Sequence, residues 1–222
     1  MELINEGSVT TPVGFLAGAV DSRIKKPGQL DLAIIYSKHE CSAAAVFTRN
    51  QVAAAPVIVD RQTLSTNSRR IHAVVANSGN ANACTGQPGL DNARTMQKVT
   101  ANALNCYDNQ VLFLSPGVIG VQLPMERISR GINETASDLE PENGSLAAQA
   151  IMTTDTYPKH TAVRVELAAG TVTLGGIAKG SGMIHPDMAT LLGVFTTDAS
   201  IEPGLLDQLL RTGVNQSFNR IS

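Results

Sequence analysis

Short apolar runs rich in Val, Ile and Leu alternate along this chain with stretches whose apolar residues recur every three or four positions. That alternation is the tightest constraint on its fold. Runs at 30–37, 44–48, 71–77, 110–114, 161–167 and 170–174 have the length and composition of strands, and a further one spans 191–197. Ala168-Ala169-Gly170 makes a hairpin-like link between two of them. The helical period marks 90–105, 125–134, 145–152 and 203–214. In the first of these, Leu90, Ala93, Met96, Val99 and Ala103 fall on one face, with Asp91 placed as an N-cap. In the last, Leu205, Leu206, Leu209 and Leu210 form a stripe behind Pro203, a residue suited to a first turn. Interleaving of this kind predicts an α/β or α+β architecture of layered sheets and helices. No repeat period is present, and 137–144, rich in Asp, Glu, Pro, Asn and Gly, reads as a surface loop.

Composition narrows the function. Hydrophobic residues make up 43% of the 222, enough for a core without disulfide staples. The net charge of −2 argues against a general nucleic-acid binder. No apolar run approaches the length of a membrane helix, and residues 1–10 lack the pattern of a secretory signal. The three cysteines, Cys41, Cys84 and Cys106, form no C-x-x-C pair and suit a reducing compartment, so a cytoplasmic protein is expected. The N-x-S/T matches at Asn133, Asn143 and Asn215 then carry no glycosylation message.

Four stretches hold more Gly, Ser, Thr and Asn than packing requires: 77–86, 115–120, 152–156 and 175–190. The first two directly follow strand candidates, where site loops commonly sit, although such loops are more often plain turns. Lys179-Gly180-Ser181 has the wrong order for a phosphate loop, which rules against nucleotide binding. Ser22-x-x-Lys25 lacks the companion motifs of the β-lactamase pattern. His39, His72, His160 and His185 show no metal spacing; His72 fits a hydrogen-bonded sheet residue and His185, before Pro186, a turn. Thr190 opens an apolar strand after Met188-Ala189 and reads first as an ordinary strand residue. The alternative is cleavage of the Ala189–Thr190 bond, which would give Thr190 a free α-amine able to serve its own hydroxyl as a base near neutral pH. Periodicity does not decide between the two.

Five motifs in order resemble the ornithine acetyltransferase family, the glutamate N-acetyltransferases of arginine biosynthesis. They are Thr48-Arg49-Asn50 through Val57, the 77–86 loop, 115–120, 152–159 and 176–191, and the resemblance spans the chain from about Gly7 to Ser222. It implies a precursor that cuts itself before Thr190 into an α chain, here 1–189, and a β chain, of which 190–222 would be the start. Family precursors are about twice this long, so the C-terminal part would be missing here, and faces built to meet it are expected to be exposed. The implied reaction is ping-pong: acetyl passes from N-acetylornithine to Thr190 and then to glutamate, and some members also accept acetyl-CoA. Lys179 would bind a substrate carboxylate, Thr153 would contact substrate, and the Pro116-Gly117 loop would stabilise the oxyanion. No metal or organic cofactor is implied. The resemblance implies as partners small-molecule substrates and the α and β chains of one precursor, two of each in the full-length form, with no nucleic acid and no membrane. Two departures stand out. The family usually has Ser-Thr-Gly at Ser115-Pro116-Gly117, where proline brings neither N–H nor hydroxyl, and usually Asn at Asp187. An amidase or aminopeptidase of similar architecture, or an unprocessed inactive fragment, remain the competing readings.

Overall fold

The structure, a computed structural model, describes residues 1–183 and 191–221. In chain order the elements are β1 (Glu2–Ile4), β2 (Phe15–Val20), β3 (Leu32–Cys41), α1 (Ala55–Thr66), β4 (Ile71–Asn77), β5 (Gly79–Asn80), α2 (Gly86–Leu104), β6 (Val111–Leu114), β7 (Gly117–Val118), α3 (Met125–Ala136), α4 (Gly144–Ala150), β8 (Lys159–Leu167), β9 (Gly170–Lys179), β10 (Leu192–Thr197) and α5 (Pro203–Gln216). Short 3-10 turns at Asp108–Gln110, Pro141–Asn143 and Phe218–Arg220 complete the description.

Two four-stranded sheets result. One has the order β2-β3-β4-β6, antiparallel except for the parallel β4–β6 pair; the other, β1-β8-β9-β10, is antiparallel throughout. β3 shows why the first sheet is central. Its alternate residues Leu32 and Ile34 join Val75, Phe113, Met96, Ile128 and Ile132 in a core beneath α2 and α3. Ala33 and Ile35 point the other way, into a second core with Ala147 and Ala148 of α4, Ile151 just after it and Ile177 of β9. Both faces of the strand are covered, so its sequence reads as an unbroken apolar run. α4 therefore lies between the two sheets, and its small Ala face permits that close approach.

The expected layered α/β arrangement is present, and most expected elements occur within a few residues of their place. The β8–β9 hairpin turns through Ala168-Ala169 with Leu167 opposite Gly170, whose φ of +135° only glycine adopts readily. Pro203 opens α5, where Glu202 accepts a hydrogen bond from the Gly204 N–H at 2.7 Å. Three readings need correction. Residues 44–48 form no strand; 42–50 run without regular structure because no sheet edge pairs with them. Asp91 is not a cap, since α2 starts a turn earlier and Asp91 accepts instead from Gln87 Nε2 at 2.9 Å. β2 and α1 went unforeseen. β2 is short and rich in Gly and Ala, and α1 carries a β-branched Val-Ile-Val run that mimics a strand.

Candidate functional site

Two loops meet where β4 and β6 end. Beyond β4 the chain continues as Ser78 into β5, and beyond β6 as Ser115-Pro116 into β7; the two-residue strands pair in parallel, Gly79 opposite Gly117 and Asn80 opposite Val118. The Gly79 N–H donates to Pro116 O at 3.0 Å and the Ala81 N–H to Val118 O at 2.9 Å. Ser115 Oγ donates to Asn80 O at 3.2 Å and accepts from the Asn82 N–H at 3.1 Å. Gly117 has φ +146°, and a Cβ there would lie 2.3 Å from the Gly79 carbonyl carbon, so the crossing of the two backbones admits only glycine. Asn82, fully buried, fixes the rest of the loop by donating from Nδ2 to Gly89 O at 2.8 Å and accepting from Thr85 Oγ1 at 2.7 Å. The 77–86 segment is thus more than a plain turn.

The second cluster gathers at the end of β9. Lys179, its last residue, is buried, and its Nζ lies 3.4 Å from Thr153 Oγ1. Beside them sits Asp155, whose side chain is 1% exposed. It accepts from the Thr153 N–H at 3.2 Å, from the Gly180 N–H at 2.8 Å and from Lys159 Nζ at 2.5 Å. Burial pushes the Asp155 carboxyl upward, but the Lys159 ammonium and the two backbone donors overcome it and hold the pKa at about 2. Burial lowers the Lys179 ammonium below the ordinary lysine value; Asp155 opposes that shift and Lys159 adds to it.

Lys25 joins the clusters. Its Nζ donates to Leu30 O at 3.1 Å and to Ala150 O at 3.3 Å, and Ser78 Oγ donates to the same Ala150 carbonyl at the end of α4. Its stem lies against Gly79, where an added Cβ would come within 3.0 Å of Lys25 Cγ. Burial lowers this ammonium too, against the pull of Asp31 and Asp155. Lys25, Lys159 and Lys179 face the two carboxylates of Asp31 and Asp155, which leaves one positive charge in excess, a setting that favours an anionic ligand.

The structure therefore brings Thr153 and Lys179 together and sets Pro116-Gly117 beside Gly79. Thr190 and Ala189, with Asp187 and His185, lie outside the described residues. Asp155, Lys159 and Lys25 were not anticipated as site residues; the signal available was an Asp in a Thr-rich loop with Lys four residues on. The Ser22-x-x-Lys25 pair is not a catalytic dyad: Ser22 Oγ is buried against Gly131 with no hydrogen-bond partner among the described residues, and none joins it to Lys25. His72 is a sheet residue, its Nδ1 3.0 Å from Ser37 O and its ring stacked on Tyr36. Among the described residues no His, Cys, Asp and Glu group could hold a metal ion, and no helix is long and apolar enough to cross a membrane.

An apolar groove of about 920 Å³ runs between β3, β4 and β6 on one side and β10 and α5 on the other, lined by residues such as Tyr36, Leu112, Leu192, Leu206 and Phe218. Leu205 and Leu209 of α5 are exposed, and Val214 is the one buried residue of that helix among those described. Of the α5 leucine stripe, Leu205 and Leu209 thus face outward, while Leu206 and Leu210 line the groove.

The family model described as the ArgJ family matches residues 16–222. This chain belongs to the ArgJ family. It is 49% identical over 218 residues to the arginine biosynthesis bifunctional protein ArgJ of Symbiobacterium thermophilum, covering 97% of this chain and 54% of that protein. The chain spans about half the length of the ArgJ relatives it matches. Among solved structures, ArgJ from Bacillus halodurans superposes with a TM-score of 0.78 at 39% identity, covering 86% of this chain and 97% of that one. Ornithine acetyltransferase from Mycobacterium tuberculosis, solved with ornithine, gives 0.77 at 39% identity, covering 86% and 98%. The L-aminopeptidase D-Ala-esterase/amidase of Ochrobactrum anthropi shares the fold at 12% identity and a TM-score of 0.52.

Proposed function

We propose that this chain supplies the α chain, 1–189, and the beginning of the β chain, 190–222, of a glutamate N-acetyltransferase. It would move acetyl from N-acetylornithine to glutamate through an acetyl-Thr190 intermediate. The convergence of Lys179 Nζ and Thr153 Oγ1 carries the reading, because it offers a charge-assisted partner and a hydroxyl to one substrate carboxylate, with Lys179 eleven residues before Thr190. Self-cleavage at Ala189–Thr190 is supported by sizes. The two solved relatives are covered almost whole by 86% of this chain, so those chains are shorter than this one, whereas full ArgJ relatives are nearly twice as long.

On this reading the Thr190 α-amine takes the hydroxyl proton as Oγ attacks the acetyl carbonyl. The Gly117 N–H stabilises the oxyanion, and collapse expels ornithine with its amine protonated. Glutamate's α-amine then attacks the ester and restores the hydroxyl. Each preorganised oxyanion donor is worth about 10²–10³ in rate. Proline at 116 offers no N–H, and its carbonyl is engaged by Gly79. Acetyl-CoA would be a second acyl donor. The apolar groove beside β10 and α5 would seat the C-terminal half that the longer relatives possess, and two α and two β chains would form the enzyme, acting in the cytoplasm.

The test is direct. A denaturing gel of the wild type should show the 190–222 side released as a separate chain, and Thr190→Ala should stay whole. Incubation with N-acetylornithine should add one acetyl mass to the Thr190 chain, removed by glutamate. A wild-type band that never splits, or hydrolysis of N-acetylornithine with no transfer to glutamate, overturns the proposal.

A further inference from the structure

We infer that Asp155 is a positioning residue, whose buried carboxylate locks the Thr153 turn and the Lys179–Gly180 end of β9 into one fixed relation for receiving a substrate carboxylate. The inference rests on the reading of Lys179 and Thr153 given above and assigns Asp155 a role that it exerts through those neighbours.

The geometry carries it. Thr153 and Lys179 are 26 positions apart and belong to different elements, one in the loop after α4 and the other at the end of β9. Strand register alone does not fix their separation, because Thr153 precedes the first β8–β9 pair, Lys159 opposite Ala178. Asp155 supplies the missing constraint. One oxygen, Oδ2, takes the Thr153 N–H, and the other, Oδ1, takes both the Gly180 N–H and Lys159 Nζ. A carboxylate that accepts from both segments ties them as a clamp. An exposed aspartate would be worth little here, but this side chain is 1% exposed, so loss of its bonds leaves the part-buried Thr153 and Gly180 N–H groups without their acceptor. Lys159 shields the clamp from outside; its ammonium also lies 5.2 Å from the centre of the Tyr157 ring, which narrows its freedom.

The same carboxylate sets the charge on Lys179. Among the described residues, the charged groups acting on Lys179 are Asp155, which favours the ammonium, and Lys159, which disfavours it; Lys25 faces Asp155 from the Gly79 side. The two neighbours therefore have opposite signs of effect on one group, which gives the inference a signature that simple loosening of the fold does not share.

The experiment uses the protein expressed from its complete gene, comparing wild type with Asp155→Asn and Lys159→Met. Steady-state transfer from N-acetylornithine is followed against pH, and the Lys179 ammonium is titrated by its ¹³Cε resonance, assigned with Lys179→Arg. Asp155→Asn should raise KM for N-acetylornithine about 10-fold or more, since bonds to a charged group are being lost, with kcat changed far less. It should also move the alkaline limb of kcat/KM, and the Lys179 titration, to lower pH. Lys159→Met should move both to higher pH. An unchanged KM in Asp155→Asn, or a shift of both variants in the same direction, overturns the inference. Should Asp155→Asn not fold, the direction of the Lys159→Met shift decides. A wild type that transfers no acetyl defeats the acetyltransferase reading instead, and the Lys179 titration still shows whether Asp155 governs that ammonium.

Discussion

Replacing Gly117 by Ala tests the proposed oxyanion loop most sharply. The added Cβ would sit 2.3 Å from the Gly79 carbonyl carbon, 2.4 Å from its oxygen and 2.6 Å from the Asn80 nitrogen. All three are backbone atoms, so no side chain can swing away. Ordinary contact begins near 3.4 Å, so β5 and β7 must separate by about 1 Å. The φ of +146° adds about 1–3 kcal/mol of backbone strain, and forced separation of packed backbone another 1–3. Each kcal/mol lowers Tm by roughly 2–4 °C in a chain of this size. On the proposed oxyanion role, a displacement of about 1 Å at the Gly117 N–H costs about 10² in rate. Gly120→Ala is the matched control: its φ is +82°, but nothing lies within 4 Å of the added Cβ. That variant should lose about 1–2 kcal/mol of stability and little activity. The assay is kcat/KM for acetyl transfer in the protein from its complete gene, with thermal melts by circular dichroism. Retention of more than a third of wild-type transfer by Gly117→Ala, or an equal loss in Gly120→Ala, would refute the reasoning that this crossing holds the oxyanion donor.

Two further outcomes are expected. Pro116→Thr restores an N–H and a hydroxyl beside Gly117 and should raise acetyl transfer, by up to the roughly 10² that one donor supplies; equal or lower activity would remove residue 116 from the oxyanion site. Asp60 borders the apolar groove, and burial pushes its carboxyl well above the usual range against a single backbone donor, the Phe113 N–H. The folded state then binds a proton that the unfolded chain has already lost above about pH 3.9, so the stability Asp60 contributes is present below that pH and falls as pH rises toward the folded value. Asp60→Asn keeps an acceptor for Phe113 and cannot ionise. Its Tm advantage over wild type should therefore grow between pH 4 and pH 8, and a constant difference in thermal melts would contradict the assignment.

Much of the fold follows from local pattern. β4 occupies the same seven residues that its run of Ile, Val and Ala marks out, and α3, the β8–β9 hairpin and α5 lie where period and turn residues indicate. The misses share a cause. Residues 44–48 have strand composition but no edge to pair with, α1 is a β-branched segment made helical by packing on α2 and β6, and β2 is held by its partner β3 rather than by its own residues. Pairing and burial are tertiary facts and override propensity. The same division runs through the site. The sequence by itself determined the family motifs, on which the roles proposed for Lys179, Thr153, the Gly117 loop and Thr190 rest, because those motifs sit in recognisable order along the chain. Only the tertiary structure decided that Asp155 clamps Thr153 to Gly180, that Lys25 links Gly79 to the end of α4, and that the leucines of α5 flank an open groove. Hydrogen bonds and contacts between segments far apart in the chain leave no period or spacing to read; they exist only once β-sheet register has brought those segments together.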